Sequence, residues 1–129
     1  MGSDSVRILV VEDNADVAEA LGQLLEVLGG HRVRIAHDGR AGLAAAREEI
    51  PEIMIIDIGL PEVDGYEVAR QVRKLPGSER ATLVALTGHG MPEDRRRSLE
   101  AGFDHHLVKP IPPEALRAIV DTRVPRRDP

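Results

Sequence analysis

The sequence predicts an α/β fold in which a doubly wound parallel sheet carries helices on both faces. Five short runs of branched apolar residues alternate with five stretches of helical periodicity, without an internal repeat. The central run, residues 53–56, is apolar at every position, as in a strand buried on both faces. Strands that alternate with helices favour right-handed crossovers, so the five strands are expected to pair in parallel in one sheet.

The composition fits one domain and argues against several function classes. A chain of 129 residues can bury one core, so we expect a domain over 6–123 with flexible ends at 1–5 and 124–129. The 2% aromatic content and the net charge of −5 argue against a nucleic-acid partner. The absence of cysteine agrees with a reducing compartment, and no apolar run approaches the roughly 20 residues of a membrane span. A cytoplasmic protein without a membrane partner is therefore expected.

The first strand and helix are predicted from a change of period after residue 11. The run 6–11 is β-rich and stops at Glu12 and Asp13. Asn14 then suits the N-cap of a helix that lasts until the glycine pair 29–30. The apolar residues of this helix recur at helical spacing: Val17, Leu21, Leu24, Leu25 and Leu28.

The second unit differs because its strand alternates polar and apolar residues. Residues 32–36 have a period of two, which is typical of an edge strand with one face in water. Asp38 and Gly39 open an alanine-rich helix that ends near Glu49, before the central strand at 52–57.

The remaining elements complete five strand-helix units. We predict a third helix opened near Asp64 and ended by 76–78, a fourth strand at 81–87, a fourth helix from Pro92 to about Ala101, a fifth strand at 105–108 and a last helix from 112. The flavodoxin-like strand order 2-1-3-4-5 fits best, because it places the alternating second strand and the short fifth strand at the edges.

Carboxylates follow two of the predicted strands at their carboxyl ends. In the order 2-1-3-4-5 the first and third strands are neighbours, so Glu12, Asp13 and Asp57 converge at the switch point, where ligands bind in such sheets. Two carboxylates 4 Å apart repel by about 4 kcal/mol at an effective dielectric near 20. Raised pKa values or a bound cation are therefore required, and oxygen-only ligands select a hard cation such as Mg²⁺.

Two further polar residues end strands on the same rim. Thr87 supplies a hydroxyl and Lys109 an ammonium, so the set predicts a phosphoryl-transfer site with Asp57 as the nucleophile. Each residue alone has a more ordinary explanation. A strand-end aspartate usually caps a turn or helix, the pair Glu12 and Asp13 can complement a helix dipole, and a single lysine is usually solvated.

With these residues in place, the chain resembles the receiver domains of two-component response regulators over residues 6 to about 121. The resemblance is carried by the acidic pair in VVEDN, Asp57 in IIDIGLPEVDGYE, Thr87 in ALTGH and Lys109 in LVKP. It implies that Asp57 takes a phosphoryl group from the phosphohistidine of a histidine kinase or phosphotransfer protein. It also implies a switched surface near the fourth helix, fifth strand and fifth helix, and a possible homodimer on phosphorylation.

The resemblance further implies a role for each remaining site residue. Mg²⁺ would be held by Asp13, Asp57, the backbone carbonyl of Gly59 and, through water, Glu12. Lys109 would pair with phosphoryl oxygens, Thr87 would move toward them as the switch, and the Lys109–Pro110 peptide would be cis.

The chain departs from the family pattern three residues before Lys109, where the family usually has a tyrosine or phenylalanine that takes part in the switch. His106 stands there, so the preference of this ring for a buried or exposed position could depend on pH. The family also tunes hydrolysis of the acyl phosphate at the positions of Gly59 and His89, and Gly59 offers no side chain. The adjacent His105 and His106 should point to opposite faces of their strand, which argues against a metal site between them.

Three functions compete on this sequence. The first is a phosphoacceptor signalling module, which is not an enzyme beyond its own phosphotransfer and autodephosphorylation. The second is a degenerate receiver that acts only as an interaction module, which His106 leaves open. The third is an aspartyl-phosphate phosphatase of the haloacid-dehalogenase kind. The nucleophile of that class lies in a D-x-D motif, whereas Asp57 is followed here by Ile58 and Gly59, which disfavours this function.

Overall fold

Strands and helices alternate along the chain in a computed structural model, which describes residues 6–29, 31–88 and 92–123. The strands are β1 (Arg7–Val11), β2 (Arg32–Ala36), β3 (Ile53–Asp57), β4 (Thr82–Thr87) and β5 (His105–Val108). The helices are α1 (Ala15–Gly29), α2 (Gly39–Glu48), α3 (Gly65–Arg73), α4 (Pro92–Ala101) and α5 (Pro113–Asp121), and a 3₁₀ turn occupies Ser78–Arg80. The predictions for the two chain ends and for His89 fall outside the described residues.

All five strands pair in parallel in the order β2-β1-β3-β4-β5, which confirms the predicted doubly wound sheet. β2 lies at one edge and mixes exposed with partly buried residues, whereas β3 is buried at every position. Among the described residues, no helix is long and apolar enough to cross a membrane.

Two apolar clusters cover the opposite faces of the sheet. Leu9, Met54 and Ile56 face α2 and α3, and Ile8, Ile53 and Ile55 face α1 and α5. Each fully buried side chain of this kind stabilises the fold by about 1.5–3 kcal/mol. The alternation of β3 between the two clusters fixes its register, and so fixes where Asp57 emerges.

Three aspartate or asparagine side chains cap helices as predicted. The side-chain Oδ1 atom of each accepts a hydrogen bond from a backbone amide in the first turn: Val17 N to Asn14 at 3.1 Å, Ala41 N to Asp38 at 2.7 Å and Glu67 N to Asp64 at 2.9 Å. These caps satisfy amides that have no partner within the helix, so the polar residue before each apolar repeat sets where the helix begins.

The 3₁₀ turn before β4 is the main element that the sequence did not predict. Gly77 precedes it with φ of 89°, a conformation that favours glycine. The guanidinium of Arg73 closes this turn from the end of α3 by donating to the carbonyls of Ser78 at 2.8 Å and Ala81 at 3.0 Å.

The same Arg73 side chain also binds the loop between α4 and β5. Its Nε donates to the carbonyl of Gly102 at 3.0 Å, and its terminal nitrogen lies 2.8 Å from a carboxylate oxygen of Asp104. That oxygen also accepts the amide of Leu83 at 2.8 Å. One side chain therefore ties α3, β4 and the approach to β5 together.

Replacing Arg73 with alanine is expected to lower the free energy of unfolding by about 2–4 kcal/mol, because several partly buried acceptors lose a charged donor. Urea denaturation measures the change. Arg70→Ala is the matched control, since Arg70 is 50% exposed and pairs only with Glu67 in the described chain, so a loss within about 0.5 kcal/mol is expected. Equal losses in both variants would show that the Arg73 contacts do not stabilise the fold.

Candidate functional site

An acidic cluster lies at the carboxyl ends of β1 and β3. β1 and β3 are adjacent, and Val11 pairs with Ile56, so the residues that follow both strands emerge side by side. Glu12, Asp13 and Asp57 each place a carboxylate oxygen within 4.8 Å of the others. The convergence expected from the strand order is therefore observed.

The three carboxylates differ in their contact with water. Glu12 is 1% exposed and Asp57 is 8% exposed, whereas Asp13 is exposed. Burial raises the pKa of Glu12, and the nearby Asp57 carboxylate raises it further, against opposing hydrogen bonds from Lys109 and the Asn14 amide. Repulsion and burial thus act on Glu12, as predicted for converging carboxylates.

Lys109 is the cation that faces this cluster. Its Nζ donates to Glu12 Oε1 at 2.8 Å and to Asp57 Oδ2 at 3.1 Å. Burial alone would lower the pKa of Lys109, but the two carboxylates outweigh it and raise the pKa, so the ammonium stays charged. The Lys109 amide donates to the Thr87 carbonyl at 2.8 Å, and the Lys109–Pro110 peptide is cis, as the family resemblance implied.

The backbone around Asp57 fixes its carboxylate. Asp57 Oδ1 accepts the amide of Gly59 at 2.8 Å, while Oδ2 accepts from Lys109. Gly65, the first residue of α3, passes so close that a Cβ there would lie 2.5 Å from the carbonyl oxygen of Asp57. Glycine at 65 therefore lets α3 begin directly beside the end of β3.

Thr87 lies at the carboxyl end of β4, and His106 lies on β5. Thr87 is the last residue of β4 and is buried. His106 pairs with Ala85, which belongs to the cluster facing α3, and its Nδ1 lies 3.1 Å from Ser98 Oγ of α4. His105 precedes it in the strand and is exposed, and both histidines border the same cavity beside Ser98 and Leu99, so the absence of a metal site between them stays a prediction.

An apolar groove beside Lys109 was not predicted from the sequence. It has a volume of about 460 Å³ and runs along α1 to the start of the β5–α5 loop. Its lining residues are Val17, Ala20, Leu21, Leu24, Lys109, Pro110 and Ile111. The signal was present in the spacing of Val17, Ala20 and Leu24, which forms a second apolar stripe on α1 beside the buried one.

One arginine of α4 packs against an aromatic ring of α3. Arg97 lies over the ring of Tyr66 with its guanidinium carbon 4.2 Å from the ring centroid. Tyr66 itself is only 3% exposed. The contact joins α4 to α3 through a cation–π interaction.

Comparisons with known proteins agree with this geometry. Residues 8–121 match the sequence model described as the response regulator receiver domain. The chain is 36% identical over 113 residues to an uncharacterized 14.6 kDa protein from the sodA1 3'region of Leptolyngbya boryana, covering 88% of this chain and 86% of that protein. It is 40% identical over 114 residues to response regulator MprA of Mycobacterium ulcerans, covering 88% of this chain but only 48% of MprA.

A solved structure extends the likeness to the backbone. The receiver domain of sensor histidine kinase PA1611 from Pseudomonas aeruginosa, solved with a magnesium ion in its active site cleft, superposes with a TM-score of 0.83. Its sequence is 30% identical, and the match covers 92% of this chain and 96% of that domain. With the strand order and the match over residues 8–121, these likenesses show that the chain belongs to the response regulator receiver domain family of two-component signalling.

Proposed function

We propose that this receiver domain accepts a phosphoryl group on the carboxylate of Asp57 and that the modification shifts a partner-binding surface. The phosphoacceptor role is general for the family. The observation that supports its assignment to Asp57 is the pair of hydrogen bonds that orient this carboxylate, from Lys109 at 3.1 Å and from the Gly59 amide at 2.8 Å. A carboxylate held in this way at a strand end needs little reorganisation to attack.

In the proposed transfer, a carboxylate oxygen of Asp57 attacks the phosphorus of a phosphohistidine. An oxygen–phosphorus bond forms, the phosphorus–nitrogen bond breaks, and the departing imidazole takes a proton. The product places about −1.5 to −2 charges on Asp57. Lys109, which already contacts the Asp57 carboxylate, is placed to pair with the new oxygens, at the expense of its 2.8 Å contact with Glu12.

The acidic cluster fits the Mg²⁺ that receiver domains typically bind. Carboxylates of Glu12, Asp13 and Asp57 are hard oxygen donors, and we add the backbone carbonyl of Gly59 to the proposed ligand set. A bound Mg²⁺ would supply neutralising charge for the phosphoryl oxygens. The residues of this chain hold the donors together, with Lys109 offsetting part of their repulsion.

Magnesium is expected to stabilise the chain, and Asp13→Asn is expected to remove most of that effect. At about 10 mM Mg²⁺ and a Kd of about 1 mM, the free energy of unfolding should rise by about 1.4 kcal/mol. Without Mg²⁺ the variant should be at least as stable as the wild type, because one repelling carboxylate is gone and Asp13 is exposed. Urea denaturation with and without Mg²⁺ measures both effects.

Asp16→Asn is the control for this experiment, since Asp16 is an exposed acidic residue in the first turn of α1 outside the cluster. It should keep the wild-type response to Mg²⁺. A full Mg²⁺ response in Asp13→Asn would exclude Asp13 from the ligand set.

The proposed partner is a histidine kinase or phosphotransfer protein. The apolar groove along α1 supports this assignment, because it borders Lys109 and offers a docking surface next to the acceptor. Phosphotransfer profiling against a panel of purified histidine kinases would identify the donor. The two proteins must share a compartment, for which the cytoplasm remains the prediction.

The switched surface is proposed to include α4 and β5, reached through Thr87 and His106. A cavity of about 310 Å³ lies there, bordered by Ser98, His106 and Leu99. Leu99 is 70% exposed, so this face carries an apolar side chain that a partner or a second copy would cover. Beryllium fluoride with Mg²⁺ should change the amide spectrum of this face, whereas a degenerate receiver would show no change.

Incubation with acetyl phosphate tests the proposed function directly. The chain should gain one phosphoryl group in the presence of Mg²⁺ and none in EDTA, and hydroxylamine should remove it. Steady turnover of a small phosphomonoester would instead favour the phosphatase hypothesis. An unmodified chain under all conditions would overturn the proposal.

A further inference from the structure

A second polar cavity lies at the amino-terminal ends of β1, β3 and β4. Because the strands are parallel, this edge of the sheet is opposite the acidic cluster. The cavity, which we call the basal cavity, has a volume of about 260 Å³. It is lined by Arg7, Ile50, Pro51, Glu52, Gly77, Arg80, Ala81 and Arg123.

The lining of the basal cavity is positively charged although the chain is acidic. Three arginines face one glutamate there, whereas the chain as a whole carries a net charge of −5. The arginines come from β1, from the 3₁₀ turn and from the residue that follows α5 by two positions. Three distant segments thus bring like charges to one site, where the carboxylates of Glu49 and Glu52 beside Arg7, and of Glu79 on the Gly77 amide, offset part of the repulsion.

Arg7 is partly neutralised by the protein itself. Its guanidinium lies 3.4 Å from the carboxylate of Glu52 and 3.8 Å from that of Glu49. Its buried Nε has no hydrogen-bond acceptor among the described residues. Arg7 therefore forms part of the cavity wall. Because Glu49 and Glu52 already pair with Arg7, the other two arginines are the main donors for a ligand.

Arg123 and Arg80 retain donors that the described protein does not use. Among the described residues, the Arg123 side chain makes one hydrogen bond, from its Nε to Thr82 Oγ1 at 3.0 Å, and its terminal nitrogens have no acceptor there. Arg80 is exposed and makes no hydrogen bond or ion pair within the described ranges. Arginine forks match the oxygens of a phosphate group, with charge-assisted hydrogen bonds.

The floor of the basal cavity is apolar. Pro51 is buried and Ala81 is 5% exposed, and both border the space between the arginines. Glu52 connects the strand starts, because its amide donates to the Arg7 carbonyl at 2.9 Å and its carbonyl accepts the Thr82 amide at 2.9 Å. An apolar floor between cationic donors suits the body of a small molecule whose phosphate faces the arginines.

We propose that the basal cavity binds the phosphate group of a small phosphorylated molecule, with Arg80 and Arg123 as its donors. The site is separate from Asp57 and does not depend on the proposed phosphoacceptor function. The alternative is that these arginines are ordinary solvated surface residues. That would explain why Arg80 is exposed, but it would not explain why Arg80 and the hydrogen-bonded Arg123 lie on either side of a buried apolar floor.

Titration of the full 129-residue chain with inorganic phosphate and with AMP, followed by amide NMR, tests the site. The amides of Glu52, Gly77 and Ala81 are expected to shift and saturate with at least one of the two probes. Arg80→Gln should weaken that binding about tenfold, the effect of losing one charge-assisted contact. It breaks no contact in the described chain, so folding should be unchanged.

Three further variants separate the possible outcomes. Arg117→Gln removes an exposed arginine of α5 that does not line the cavity, and it should bind like the wild type, as should Asp57→Asn. Arg123→Gln should weaken binding as Arg80→Gln does. Absence of saturation with both probes, shifts confined to the acidic cluster, or undiminished binding in Arg80→Gln would overturn the proposal.

Discussion

Replacing Asp57 with asparagine is expected to reduce labelling by acetyl phosphate to background. The amide keeps the shape of the side chain, and its oxygen can still accept the Gly59 amide, which lies 2.8 Å from the carboxylate. It lacks the anionic oxygen that would form the acyl phosphate, so the loss should be complete rather than partial. Intact mass after incubation with acetyl phosphate and Mg²⁺ measures the labelled fraction.

Asp64→Asn is the matched control for Asp57→Asn. Asp64 lies in the same β3–α3 segment, and its Oδ1 caps α3 by accepting the Glu67 amide at 2.9 Å. Asparagine caps helices about as well as aspartate, so both stability and labelling should be close to wild type. Full labelling of Asp57→Asn would mean that another carboxylate, such as Asp13, is the acceptor.

The fold was predictable because its signals are local. The apolar run of β3 and the caps at Asn14, Asp38 and Asp64 depend on neighbouring residues in the chain, and they agree with the structure. β2 lies at the edge of the sheet as predicted, but its burial does not alternate, because the apolar Ile35 is 40% exposed. Parallel pairing then brings the strand ends to one rim, which is why the contact of Lys109 with Glu12 could be anticipated although 97 positions separate them.

The contacts that were missed connect distant segments without a local signal. In the sequence, nothing distinguishes Arg73 from an exposed arginine of α3. In the structure, its acceptors lie up to 31 positions away, at Asp104. The contact of Arg97 with Tyr66 depends on how α4 packs against α3, which neither helix encodes alone. Such contacts arise from the assembled fold, so periodicity and capping rules do not reveal them.

The electrostatic balance of the site rests on Lys109. Glu12 is almost fully buried, its pKa is raised by burial and by Asp57, and the ammonium of Lys109 is the cation that offsets both carboxylates. Breaking a buried ion pair by removing one partner is costly, because the remaining charge has no compensation. Lys109 is therefore expected to matter for stability as well as for transfer.

Lys109→Met is expected to slow labelling by acetyl phosphate about 100- to 1000-fold, the usual effect of removing one charge that stabilises a transition state. Lys74→Met should change neither rate nor stability, because Lys74 is exposed at the end of α3. A labelling rate in Lys109→Met equal to that of Lys74→Met would show that the ammonium does not assist transfer.

The same variant makes a signed prediction for pH. Without Lys109, the pKa of Glu12 should rise further above its ordinary value of 4.5, because the hydrogen bond that lowers it is lost. A carboxyl group whose pKa is raised by folding binds protons more tightly in the folded state than in the unfolded state. This proton binding stabilises the fold at low pH, and the stabilisation is lost as pH rises through the pKa of the folded state. The stability deficit of Lys109→Met, measured in urea without Mg²⁺, should therefore be small near pH 4.5 and grow toward pH 8. A deficit that is constant over this range would mean that Lys109 acts through packing rather than through the charges of Glu12 and Asp57.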